Sequence, residues 1–172
     1  FIKELSDKDE FQIVAKEIPL VKKLIETGYT GRKGKGGFYR VNKSGNQKIL
    51  EAINLENGEY SAIKKIDLGI ETVDISNLIN RKDKFGEYAW IVISKIIKYA
   101  SSLVPGITDK FNDIDEAMRL GFNWAMGPFE MLKSIGIKNF FERIDDFENN
   151  KFLENLSKSK DENFYGERQI YT

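Results

Sequence analysis

From residue 85 onward, apolar side chains recur three and four positions apart, and glycine and proline cut the run into short segments. That spacing puts the apolar groups on one face of each segment when it is helical. Phe85, Ala89, Val92, Ile96, Tyr99, Ala100 and Leu103 predict one long helix that stops before Pro105. Asp113 followed by Glu116 has capping-box spacing and predicts a helix start, with Gly121 as its end. Gly127-Pro128 predicts the next start, with Pro at the first helical position. Phe129, Met131, Leu132 and Ile135 then face inward and Gly136 stops the helix. Phe140, Phe141 and Ile144 mark a further helix, and Phe152, Leu153 and Leu156 the last. No sustained strand alternation is read. The expected class is all-α, with four to six helices after residue 85 and a glycine-rich loop before it.

Upstream, residues 1 to about 28 read as helical, the last helix being marked by Ile18, Pro19, Leu20, Val21, Leu24 and Ile25 and capped by Gly28. Between Glu26 and Glu51 there is no acidic residue, while glycines stand at 28, 31, 34, 36, 37 and 45 and basic residues at 32, 33, 35, 40, 43 and 48. Within it, Gly31-Arg32-Lys33-Gly34-Lys35-Gly36-Gly37-Phe38-Tyr39 is neither a P-loop nor a dinucleotide fingerprint, because the third element of each pattern is missing. Two readings stay open. Backbone N–H groups with Arg32, Lys33 and Lys35 can hold an anion. Alternatively the segment is a tight turn after a helix, with Phe38 and Tyr39 in the core. Residues 49 to 84 are expected to be a connector, with Lys48 to Leu55 a short extended or helical piece, a turn at Asn57-Gly58 and one short helix near 73–79.

Composition narrows the chemistry. The 172 residues contain no cysteine and no histidine. Disulfides, thiolate nucleophiles, histidine general bases and most zinc sites are thereby excluded. Twenty-seven basic residues balance 27 acidic ones, which disfavours a nucleic-acid partner. Asp109, Asp113 and Asp115 crowd together, but Lys110, Phe111 and Ile114 break the pattern of a calcium loop, so no metal is expected. The segment from Trp90 to Ile97, interrupted by Lys95, is the best apolar run and is under half of the ~20 residues a membrane span needs. No leader is read at the N-terminus, so a cytoplasmic location is expected. A first residue of Phe in place of Met leads to the expectation of a fragment or processed product.

Asp113-Ile114-Asp115, Ala117-Met118, Gly121-Phe122, Gly127-Pro128-Phe129-Glu130 and Gly136 together resemble the helical C-terminal domain of 3-hydroxyacyl-CoA dehydrogenases. Gly31 to Tyr39 is similar to the signature that closes the first copy of that domain, and Asn57-Gly58-Glu59-Tyr60 resembles the segment between copies in bacterial multidomain β-oxidation proteins. Two positions depart from the family: Lys133 stands where it has aspartate, and Lys35 where the loop has its middle glycine.

The resemblance implies a helical bundle like the C-terminal-like domain of 6-phosphogluconate dehydrogenase. It implies residues 1–46 as the end of a first helical domain, 47–84 as connector and 85–172 as a second helical domain. The parent would oxidise L-3-hydroxyacyl-CoA with NAD in fatty-acid β-oxidation. The family's His-Glu pair and nicotinamide-binding domain are not in this sequence, so no catalytic and no cofactor-binding residue is carried over. Structural roles fall on Gly31, Gly37, Phe38, Tyr39, Asp113, Asp115, Gly121, Gly127, Pro128 and Glu130. Arg32, Lys33 and Lys35 are the candidates for lying near CoA. The implied role is domain packing and shaping of the acyl-CoA cleft, with the remaining dehydrogenase domains as partners in cis or in trans. The alternative is a stand-alone, non-catalytic helical interaction module from a split gene.

Overall fold

The computed structural model describes residues 4–7, 9–43, 47–64, 74–159, 161 and 163–166. The chain divides into two compact units, Phe1–Gly69 and Ile70–Thr172.

The first unit opens with a single turn, α1 (Phe11–Val14), and α2 (Pro19–Glu26). Pro19 occupies the first turn of α2, where its missing N–H costs nothing. Gly28, at φ +84°, ends the helix: the Tyr29 N–H reaches the Leu24 carbonyl at 2.8 Å and the Gly28 N–H that of Ile25 at 3.0 Å. These are the paired bonds of a Schellman cap, and only glycine takes that backbone without penalty. The glycine-rich loop then folds on itself through a Gly31–Gly36 bridge.

Next come three strands, β1 (Tyr39–Asn42), β2 (Ile49–Ile53) and β3 (Tyr60–Ala62), forming an antiparallel sheet in that order. Tyr39 pairs with Ala52, Val41 with Leu50, and Ala52 with Ser61. This corrects the expectation of no strands and places residues 49–62 in one sheet with 39–42. Strands of four, five and three residues are too short for alternation to register as a period. The expected turn at Asn57-Gly58 joins β2 to β3, with the Glu59 N–H bonded to Asn57 Oδ1 at 2.9 Å. Phe38 and Tyr39 are not in a core: they are 43% and 65% exposed.

The second unit is a helical bundle. It comprises α3 (Ile75–Ile79), α4 (Lys84–Ser102), α5 (Phe111–Phe122), α6 (Pro128–Ile135), α7 (Ile137–Phe141) and α8 (Lys151–Ser159). Val73, expected in the short helix, lies outside the described residues, as does Gly45. Asp74 and Asp83 cap α3 and α4 by accepting N–H bonds from Ser76 at 2.8 Å, and from Phe85 and Gly86 at 3.1 Å. The buried side of α4 runs through Gly86, Ala89, Ile97, Ala100 and Ser101, one position round from the expected Ile96 stripe. α6 lies at the centre, touching α3, α4, α5 and α7. Phe129, Leu132 and Phe140 are fully buried. A second cluster gathers aromatics: Phe111 and Phe152 each lie 5.1 Å from Phe129, ring to ring.

Helix ends differ from expectation at α7, which stops at Phe141 short of Ile144, and at both ends of α5. α5 begins at Phe111, so Asp113 sits inside its first turn and is not the cap. Phe111 packs into the aromatic cluster and draws the chain into the helix early, and Asp113 accepts the Thr108 hydroxyl at 2.9 Å. At the other end α5 passes through Gly121 to Phe122, and Asn123 takes the left-handed conformation at φ 56°. Asparagine tolerates that region better than most residues, so the stop falls two residues late.

Candidate functional site

The motif residues of the second unit converge where α5 meets the start of α6. Three N–H groups there have no partner within the helix. Asp115, fully buried on α5, reaches across and satisfies two of them. Its Oδ1 accepts the Phe129 N–H at 2.8 Å and its Oδ2 the Glu130 N–H at 3.0 Å. Glu130 turns back and accepts the Gly127 N–H at 2.8 Å. Arg119, one turn beyond Asp115, pairs with that same Glu130 carboxylate. The Asp115 backbone lies so close that any Cβ at Gly127 would collide with it. Pro128 needs no partner. The result is a helix cap supplied by a neighbouring helix, locked by an ion pair.

Tyr165 covers the knot and is 6% exposed. Burial pushes the Asp115 carboxyl above the ordinary aspartate value, against the downward pull of the Phe129 N–H, the Tyr165 hydroxyl and the Glu130 N–H. Burial, then the Asp115 carboxylate, push the Tyr165 phenol upward, so it stays a protonated donor. For Arg119 burial is the largest influence and opposes the charge, but the bond and charge of Glu130 together with Tyr165 outweigh it and raise the pKa. Lys133, the departure from the family, donates to the Gly166 carbonyl at 2.9 Å and lies 5.5 Å from the Tyr165 ring centre. Together with Ala125, Met126, Glu130, Ser134 and Tyr165 it lines an open hollow of 470 Å³. Glu130, Lys133 and Tyr165, which face it, are engaged in an ion pair or hydrogen bonds. The geometry supports holding two helices in register.

In the first unit, Gly31, Arg32, Lys33, Lys35 and Gly37 share one loop. Its donors are used internally: the Gly31, Gly34, Lys35 and Gly37 N–H groups bond to the carbonyls of Gly36, Gly31, Gly28 and Tyr39. Lys35 Nζ is bonded to the Thr27 carbonyl at 3.1 Å. Arg32 and Lys33 are exposed. Arg40 is committed to Glu51 at 2.7 Å and stacks 3.9 Å from the centre of the Tyr60 ring. The strands here form an antiparallel sheet, with no glycine turn from a strand into a helix. These residues do not fit a nicotinamide dinucleotide. Among the described residues no three carboxylates gather to hold a metal ion, and no described helix is long and apolar enough to cross a membrane.

Sequence reasoning missed Asp115 as a cap, because its partners are 14 and 15 residues away. It also missed Asn150, which accepts the Leu153 N–H at 3.1 Å and donates to the Lys98 carbonyl at 3.0 Å, joining α8 to α4. Asn followed three residues later by Leu was the available signal.

The fold is thus a helical domain whose signature residues brace one helix junction. The 3-hydroxyacyl-CoA dehydrogenase C-terminal domain family matches residues 91–162. A Rickettsia felis protein named as a fatty acid oxidation complex trifunctional enzyme is 38% identical over 128 residues, covering 74% of this chain and 18% of that protein. A Rickettsia prowazekii protein of the same name is 35% identical over 143 residues, covering 83% of this chain and 19% of the relative. A Bacillus subtilis protein named as a 3-hydroxyacyl-CoA dehydrogenase is 31% identical over 148 residues, covering 81% of this chain and 18% of the relative. Residues 91–162, within the helical unit, thus carry a 3-hydroxyacyl-CoA dehydrogenase C-terminal domain. It spans under a fifth of the length of these relatives. No solved structure matches it significantly.

Proposed function

We propose that this chain is a non-catalytic scaffold of an NAD-dependent dehydrogenase that oxidises L-3-hydroxyacyl-CoA to 3-oxoacyl-CoA in fatty-acid β-oxidation. Residues 1–46 close one copy of the helical domain, 47–84 connect, and 85–172 are a second copy. The second copy packs against the first as a pseudo-dimer and so helps to shape the cleft for the acyl chain. NAD and the hydride-transfer residues belong to domains outside this sequence, in a cytoplasmic enzyme.

One observation carries the packing role. The outer face of α5 presents Ala117, Leu120 and Gly121, with Leu120 80% exposed and Phe122 beside it 70% exposed. Ala117, Leu120 and Gly121 lie on the side of the helix away from Asp115 and Phe122 is exposed at its last position, so their apolar character does nothing for the bundle itself. An exposed apolar stripe on an otherwise well-packed helix marks a contact surface. Arg32 and Lys33, exposed on the glycine loop, are the cations available to a CoA phosphate in the first unit.

The test is Leu120→Asp paired with Phe122→Asp in the native dehydrogenase. Loss of assembly or of acyl-CoA turnover, with the helical content of the second unit unchanged, is expected. Unaltered assembly and turnover would remove the packing role and leave the alternative, a free-standing interaction module.

A further inference from the structure

The sheet of the first unit has its faces reversed. On one side Arg40, Asn42 and Glu51 form a polar cluster: Arg40 is bonded to Glu51 at 2.7 Å and Asn42 to Glu51 at 3.0 Å. Glu51 is the buried residue of the sheet. The opposite side carries Tyr39, Val41, Leu50 and Ile63, exposed by 65%, 52%, 53% and 40%. The register makes these one surface, since Val41 faces Leu50 and the Ile63 N–H bonds to the Leu50 carbonyl. Apolar side chains stand where water should be, and the polar ones are inside.

The whole unit shows the same deficit. Among its described residues Leu24 is the one buried apolar side chain. The described residues of this 69-residue unit bury too little to make a core of their own. Its apolar surface therefore has to be completed by something that packs as a solid.

Charge selects the partner. Lys43 and Lys48 follow and precede the last pair of the β1–β2 ladder, Asn42 with Ile49, and Lys64 lies two residues beyond the end of β3 at the same end of the sheet. All three are exposed. Glu51 is spent on Arg40 and Asn42, and the exposed acids Glu56 and Glu59 sit at the opposite end, in the β2–β3 turn.

We propose that this sheet face is a docking surface for an apolar protein surface bordered by carboxylates at the Lys43, Lys48 and Lys64 end, contributed by the dehydrogenase domains outside this sequence. The assignment of the partner to those domains rests on the dehydrogenase reading above. Val41 and Leu50 supply the contact, and the three lysines fix the orientation.

Zero-length carbodiimide crosslinking joins lysines only to carboxylates in direct contact. Applied to the native protein isolated from its source and mapped by mass spectrometry, it should link Lys43, Lys48 or Lys64 to Asp or Glu of the dehydrogenase domains. The amides of residues 39–42 and 49–53 should exchange at least about tenfold more slowly there than in the isolated 172-residue chain. The double variant Lys43→Glu with Lys48→Glu should abolish the links and the added protection, while the exchange of α6 stays unchanged. Links to a second copy of this chain, links to an unrelated protein, or protection that needs anionic vesicles would each overturn the proposal. So would equal exchange in the two samples. If 3-hydroxyacyl-CoA oxidation still co-purifies with the chain in that last case, the dehydrogenase reading stands without this surface.

Discussion

Asp115 determines more of the second unit than any other polar residue. It is fully buried, yet its two oxygens accept the Phe129 and Glu130 N–H groups across a helix junction. Removing it strands both donors, each worth about 1–3 kcal/mol when buried and unsatisfied. Asp115→Ala is therefore expected to destabilise the chain by about 2–4 kcal/mol in urea denaturation. Gly127→Ala should cost about 2 kcal/mol or more, because its Cβ meets the Asp115 backbone and the junction must open. These roles were only half legible in the sequence. The start of α6 at Gly127-Pro128 was readable, since the signals are adjacent along the chain. The cap on it was not, because it comes from another helix. Asp113, with the right spacing for a cap, is spent on the Thr108 hydroxyl.

At the scale of elements, helix ends carry much of the polar order. Asp83 caps α4 and is also bonded to Arg81. The Arg81 bond, then the Gly86 N–H, lower its pKa from 3.8 to about 2. An acid with a lowered folded pKa contributes stability that is present above its unfolded value and is lost as pH falls through the folded one. The difference in Tm between wild type and Asp83→Asn should therefore hold above pH 3.8 and close as pH approaches about 2. A difference that grows on acidification would contradict the assignment. Asn150 makes the parallel case for α8. Asn150→Ala should cost about 1–3 kcal/mol, since it frees both the Leu153 N–H and the Lys98 carbonyl. The longer helices after residue 85, α4 and α5 above all, were legible because they span enough turns to show their period, and five-residue α7 was marked by its aromatics. The strands were not: Tyr39-Arg40-Val41-Asn42 does alternate, but four residues give no statistical weight, and the exposed side is the apolar one.

The two units differ in what holds them together. The helical unit has a continuous core around α4, α6 and α7, including Ile97, Leu132 and Phe140. Among its described residues the first unit has a sheet over a polar cluster and one buried leucine. Hydrogen exchange on the isolated chain should show α6 amides protected at the level of global unfolding and the sheet amides exchanging orders of magnitude faster. The division into a helical C-terminal domain and a preceding glycine-rich segment was visible in the order of the motifs. The sheet between them, and its outward apolar face, required the fold.

The central claim is that this chain is the structural, non-catalytic part of a 3-hydroxyacyl-CoA dehydrogenase. The most direct measurement is to isolate the native protein from its source with an antibody against this chain. The isolate and the 172-residue chain alone are then assayed for NAD reduction with L-3-hydroxyacyl-CoA. The account predicts activity in the isolate and none in the chain alone. An inactive isolate, or turnover by the chain alone, would contradict it.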